Sequence, residues 1–218
     1  SPNNGGAITA FRATYTPTIA TQAADSTVLC ASSNGLLYAD NPSGTNLPGN
    51  LIAVTQATTY ALATDRRLMA DDLLQKLYIA DHGTAVFSLG RTVAAAAITT
   101  GSDWTALGIS TVNHVVIVTN PTGTVVAGVY SILSHTSTTL TTTASIGNGT
   151  ATIRVERALK IYDPGHATQQ LGIWTASPPS AANIAPHGCS IVVRYNNSIL
   201  LAGDSQAPHV WYMSRRDN

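Results

Sequence analysis

The chain has 218 residues, 44% of them hydrophobic, enough to bury a core in one large domain or two smaller ones. Only 10% are charged, against roughly 25% for an ordinary soluble domain, and 11 basic residues balance 11 acidic ones. That balance leaves no cationic surplus to hold phosphates, which excludes general nucleic-acid binding as the main task, and no apolar run reaches the roughly 18–20 residues of a membrane helix. The start at Ser1–Gly6 is polar and lacks the charged and apolar regions of a signal peptide. A neutral surface carried by Thr, Ser, Asn and Gln repels other copies weakly, so association into something larger is expected.

In chain order, the dominant signal is short β runs between turn residues. Ser26–Ala31 and Leu36–Ala39 flank an Asn-Gly turn, the strongest short hairpin cue. Ala63–Leu77 carries Leu68, Leu73, Leu74 and Leu77 among charges, a spacing that predicts a short helix or an ordered loop over a sheet edge. Lys76–Ala80 and Ala85–Leu89 flank Asp81, His82 and Gly83 as a second hairpin. A third is expected from Ser190–Arg194 and Ser198–Ala202 around Tyr195, Asn196 and Asn197. GLLYAD (Gly35–Asp40), KLYIAD (Lys76–Asp81) and SILLAGD (Ser198–Asp204) echo one another, and Asp40 to Asp81 is about 41 residues, near the roughly 40–45 of one four-stranded propeller blade.

From Trp104 to Tyr162 the texture changes to that of a small separate β module. Strands are expected at Asn113–Thr119, Gly128–Leu133, Ser137–Thr143 and Thr150–Leu159, with turns at Asn120–Thr124 and Ile146–Gly149. In the last strand Ile153 and Val155 alternate with Thr152, Arg154 and Glu156, as a half-buried strand requires. Four such strands suggest a compact barrel inserted into a continuous outer architecture.

Chemical motifs are sparse. Cys30 and Cys189 are far apart and without metal-ligand spacing, so two buried thiols are expected. His82 beside Asp81, His166 near Asp163 and His187 near Cys189 are the groupings closest to acid–base or nucleophilic chemistry, and none has a recognisable partner set. No GxSxG elbow or HExxH helix occurs, and the GNG at Gly147–Gly149 lacks its GxGxxG continuation. The sequence therefore assigns no catalytic residue, no cofactor and no metal. Trp104, Trp174 and Trp211 read as core or interface anchors before they read as a sugar platform. Arg66 with Arg67 and Arg215 with Arg216 read as solvated loops or salt-bridge donors.

Two stretches carry a resemblance, Val115–Pro164 and Val192–Asn218. Both resemble propeller-type structural proteins of phage tails, among them the tail nozzle or tail tube terminal proteins of short-tailed phages. In that family a barrel insertion ends in the phrase IER…K.YDP, matched here by Val155, Glu156 and Arg157 with Lys160, Tyr162, Asp163 and Pro164. A later blade carries RL.LAG….PH.WYMSR.GDP, matched by Leu200–Gly203, Pro208–Ser214 and Arg215. Ser198 stands where a basic residue is usual, and Arg216, Asp217 and Asn218 depart from Gly-Asp-Pro.

The resulting expectation is an all-β protein, a propeller-like or open blade array of antiparallel sheets with an inserted small β-barrel. Its parts would be 1–103 as the first portion of the blade domain, 104–164 as the barrel and 165–218 as the continuation. About 158 residues outside the barrel leave room for three to four blades of about 40 residues, fewer than most closed propellers hold, so a fragment of a longer chain or an open array is expected. The resemblance implies a structural, non-enzymatic subunit of the virion tail (nozzle, tube end or hub), assembled in the host bacterial cytoplasm. Its partners would be copies of itself in a ring and other tail or adaptor proteins, with DNA passing without sequence-specific binding. A carbohydrate-binding or cell-surface β module of a receptor-binding protein is the alternative. In His209–Ser214 the strand period sends Trp211 and Tyr212 to opposite faces, one to the blade core and one to an interface, so both are candidate interface residues.

Overall fold

The computed structural model describes residues 8–16, 26–40, 51–64, 68–74, 76–82, 86–99, 103–163, 171–174 and 187–214. These form an all-β protein of several antiparallel sheets and one closed barrel. The chain divides into two units, Ser1–His82 with Leu159–Trp174 and Gly188–Asn218, and Gly83–Ala158 with Thr175–His187.

The first unit begins with β1 (Ile8–Thr16), β2 (Ser26–Ser33), β3 (Leu36–Asp40) and β4 (Leu51–Ala53), an antiparallel meander in that order. Asn34 and Gly35 both take positive φ, 51° and 77°, as a two-residue type I′ hairpin turn between β2 and β3 requires. A single 3-10 turn follows at Thr55–Thr58. Next come β5 (Met69–Leu73) and β6 (Lys76–Ala80), paired as a hairpin.

Over Ala63–Leu77, where a short helix or an ordered loop is expected, the described residues from Met69 onward form this hairpin instead. The leucine spacing that resembles one helical face arises because the chain folds back at Leu74, which is exposed at φ 48°. Leu68 and Leu77 go to one core and Leu73 to another. The second expected hairpin is also absent, because β6 pairs with β5 and with Lys160–Tyr162, whereas the following strand joins the barrel.

The barrel comprises β7 (Val86–Ala94), β8 (Ala97–Thr99), β9 (His114–Thr119), β10 (Gly128–His135), β11 (Thr139–Thr142) and β12 (Gly149–Arg157). They close in the order β10-β11-β8-β7-β12-β9, with β9 and β10 completing the ring. Six strands rather than four build it. It therefore starts upstream of Trp104, since β7 and β8 supply the partners of β12 and β11. Its core holds Trp104, Val116, Val118, Ile132, Leu140, Ile146 and the alternate β12 residues Ala151, Ile153 and Val155. Gly147 sits at φ 98° so close to the backbone that a Cβ would collide with the Thr124 carbonyl, so only glycine fits.

The chain then returns to the first unit through β13 (Lys160–Tyr162) and β14 (Leu171–Ile173), and ends in β15 (Ile191–Tyr195), β16 (Ser198–Ala202) and β17 (Trp211–Met213). Lys160–Tyr162, expected within the inserted module, instead belongs to a sheet of the first unit, because β13 pairs with β6 and β14. That sheet has the order β14-β13-β6-β5, and the last is β15-β16-β17. Asn196 and Asn197, φ 48° and 59°, make the β15–β16 turn, as the third hairpin signal implied.

The three sheets stack by strand alternation. Leu77 and Ile79 of β6 join Leu37 and Ala39 of β3 with Tyr162 and Leu171 in one core. Tyr78 and Ala80, on the opposite face of β6, join Val192, Ile199, Leu201, Leu159 and Cys189 in another. The echo GLLYAD, KLYIAD, SILLAGD marks β3, β6 and β16, each an interior strand of its sheet.

Candidate assembly face

The last sheet has one covered face and one open face. In register, Val192, Leu201 and Tyr212 form one row, and all three pack into the core beneath. The rows Ile191–Ala202–Trp211 and Val193–Leu200–Met213 lie on the other side. There Trp211 is 62% exposed, Met213 57% and Tyr195 60%, with Ile191 and Val193 also exposed. The two candidate residues thus separate: Tyr212 is a core-side residue and Trp211 an exposed one. The strand period already places Met213 on the face of Trp211, whereas Ile191, Val193 and Tyr195 are missed, because the apolar run Ile191–Val193 carries no alternation to show which residues face out.

The two edges of this sheet differ. On the β15 side, the Arg194 main-chain N–H donates to Asp71 Oδ2 at 2.8 Å, and Arg194 Nη1 lies 3.7 Å from Asp72 Oδ2. On the β17 side, Ser214 N–H donates to the Ile199 carbonyl and Ile199 N–H to Ser214 Oγ, extending the β16–β17 ladder by one step.

Beneath the face, Tyr78 is buried edge-on against Trp174, ring centroids 4.9 Å apart. Burial, and then the charge of Asp163, raise its phenol above the ordinary 10.0. Asp81 and Lys160, both fully buried, pair at 3.1 Å, and Asp81 Oδ1 accepts the Ala63 N–H at 2.9 Å. The Asp ending the third echoed segment behaves alike: buried Asp204 accepts the Gln206 N–H at 2.9 Å. In these two copies the recurrent Asp is a main-chain acceptor at a strand end.

The remaining singled-out residues do not converge. Trp104 is fully buried in the barrel and Trp174 half-buried on Tyr78, so the three tryptophans form no shared platform. His82 Nδ1 lies 3.3 Å from the Ala80 carbonyl, His187 is buried, and His166, Arg66, Arg67, Arg215 and Arg216 lie outside the described residues. Cys189 is a buried free thiol; Cys30 sits on β2, outside the described side chains. Among the described residues no three His, Cys, Asp or Glu side chains gather as metal ligands would, and no helix is long and apolar enough to cross a membrane.

What fold and face together define is an all-β protein of stacked antiparallel sheets and a closed barrel, with an apolar sheet face open to solvent. No protein-family model matches the chain, and no curated protein matches it.

Proposed function

We propose that the chain is a structural subunit of a tailed-phage virion, part of the tail nozzle, tube end or hub, acting through contacts with copies of itself and neighbouring tail proteins. The observation that carries this reading is the open face of the β15-β16-β17 sheet. Trp211, Met213, Tyr195, Ile191 and Val193 expose an apolar strip on a protein of zero net charge, a combination that invites association. The β14-β13-β6-β5 sheet is covered on both faces by stacking of this kind, so a natural cover for the open face of the last sheet is another sheet. The resemblance of Val115–Pro164 and Val192–Asn218 to propeller-type tail proteins supplies the particle. In this reading the blades are propeller-like, and a surface poor in Lys and Arg lets DNA slide past without gripping its phosphates.

The test is incorporation into particles of the phage that encodes the chain. Trp→Ala at an interface centre costs on the order of 2–4 kcal/mol, roughly 30- to 1,000-fold in an assembly equilibrium. Trp211→Ala is therefore expected to deplete the subunit from purified virions, as read by quantitative mass spectrometry. Alanine at His82 or His187 is expected to leave it in place. Absence of the wild-type chain from particles removes the proposal.

A further inference from the structure

We infer that the buried pair Lys160 and Asp81 is a self-modification site, at which the lysine amine and the aspartate carboxyl condense into an intramolecular amide bond. The first observation is dryness. Both side chains are fully buried, and Nζ and Oδ2 lie 3.1 Å apart. Lys160 stands opposite Ile79 in the β6–β13 register, on the strand face that sends Ile79 and Tyr162 into the core with Leu62, Ala63 and Leu171. Apolar surroundings disfavour charge, which makes proton transfer from the ammonium to the carboxylate accessible and the freed amine nucleophilic.

The second observation is how the carboxyl is held. Asp81 Oδ1 accepts the Ala63 main-chain N–H at 2.9 Å, while Oδ2 faces the amine. A fixed donor on one oxygen stabilises the negative charge that builds there when the carboxyl carbon is attacked. Neighbouring strands hold both groups in place, so no freedom is lost in bringing them together.

The step balances without any other reactant. One ammonium proton passes to Oδ2, the Nζ lone pair attacks Asp81 Cγ, and the carbonyl electrons move onto Oδ1. The tetrahedral centre then collapses: a second Nζ proton passes to the Oδ2 hydroxyl, the Cγ–Oδ2 bond breaks and water leaves. The Nζ–Cγ bond remains, with no change of oxidation state. Lys76 and Asp163 supply the contrast, because they approach to 3.2 Å with side chains 43% and 28% exposed. There water solvates both charges, and no bond is expected.

Asp81 directly follows β6, where the chain leaves for the barrel, and Lys160 opens β13, where it returns. The bond therefore links positions 79 residues apart into a covalent loop. Tension along the chain would pass from β6 to β13 without stretching the barrel strands.

The test is intact mass spectrometry and peptide mapping of the wild-type chain, purified folded, incubated at neutral pH and then denatured. The expected mass is one water below that of the sequence. Trypsin is expected to leave the bond after Lys160 uncut, to cut after Lys76, and to release a branched peptide joining Lys160 to Asp81. Asp81→Ala and Lys160→Met are each expected to show the full mass of their own sequences, and a variant that still loses water overturns the inference. Either substitution can also prevent folding, so the wild-type chain decides: its full sequence mass, with cooperative melting to show that it is folded, overturns the inference. Water loss mapped to any other residues overturns it as well.

Discussion

Asp81 and Lys160 illustrate how much one residue pair carries at the junction of the two segments. Asp81 directly follows β6 and Lys160 opens the adjacent strand β13, where the chain leaves for the barrel and returns from it. Two fully buried opposite charges at 3.1 Å are stable only together. Lys160→Met leaves the carboxylate in a dry site, and the expected cost is about 3–5 kcal/mol of unfolding free energy, measured by urea denaturation. The double variant Asp81→Ala, Lys160→Met should be less destabilised than the sum of the single changes. Additive effects would show that the pair is not coupled. In the sequence, Asp81 was visible as the end of a repeated strand and Lys160 as part of the family-like phrase. Their pairing was not, because 79 residues of chain separate them.

Tyr78 gives a pH prediction at the same scale. Burial and Asp163 raise its phenol above the ordinary 10.0, so the folded protein holds this proton more tightly than the unfolded chain does. Its contribution to stability is full below pH 10 and is lost as pH rises from there through the raised value. Tyr78→Phe is therefore expected to flatten the alkaline loss of stability, as measured by denaturation midpoints between neutral and strongly alkaline pH. An unchanged alkaline slope would remove Tyr78 from the account.

Among the elements, β17 separates two aromatic residues by role. Tyr212→Ala opens a gap against Ile199 and Leu201 and should lower the melting temperature of the isolated chain. Trp211→Ala, on the exposed face, should change unfolding free energy by no more than about 0.5 kcal/mol while weakening association. Equal destabilisation by both would mean that Trp211 is a core residue.

Elements became legible where local chemistry decides them. Asn34–Gly35 and Asn196–Asn197 can take the left-handed conformations their turns need, and the alternation of Ile153 and Val155 with polar neighbours reports one buried face. Ala63–Leu77 misled because a hairpin whose strands bury residues on both faces produces an apolar spacing that also fits a helix. The partners of β7 were hidden for another reason. Its pairing with β12 joins Val86 to Val155, a long-range contact that no local pattern announces.

For the whole molecule, β6 and β13 lie side by side, so the barrel is entered and left at neighbouring points. Replacing 83–158 by a short Gly-Ser linker should leave the stacked sheets folded, because closing a loop between adjacent strands costs little. Loss of a cooperative unfolding transition in that shortened chain would contradict this.

The role we propose is association, and negative-stain imaging of the purified chain beside its Trp211→Ala variant puts it to the test. The account predicts rings or ring segments for wild type and dispersed single subunits for the variant at the same concentration. Identical rings from both would contradict it, as would dispersed wild-type protein with a hydrolytic activity that His82→Ala abolishes.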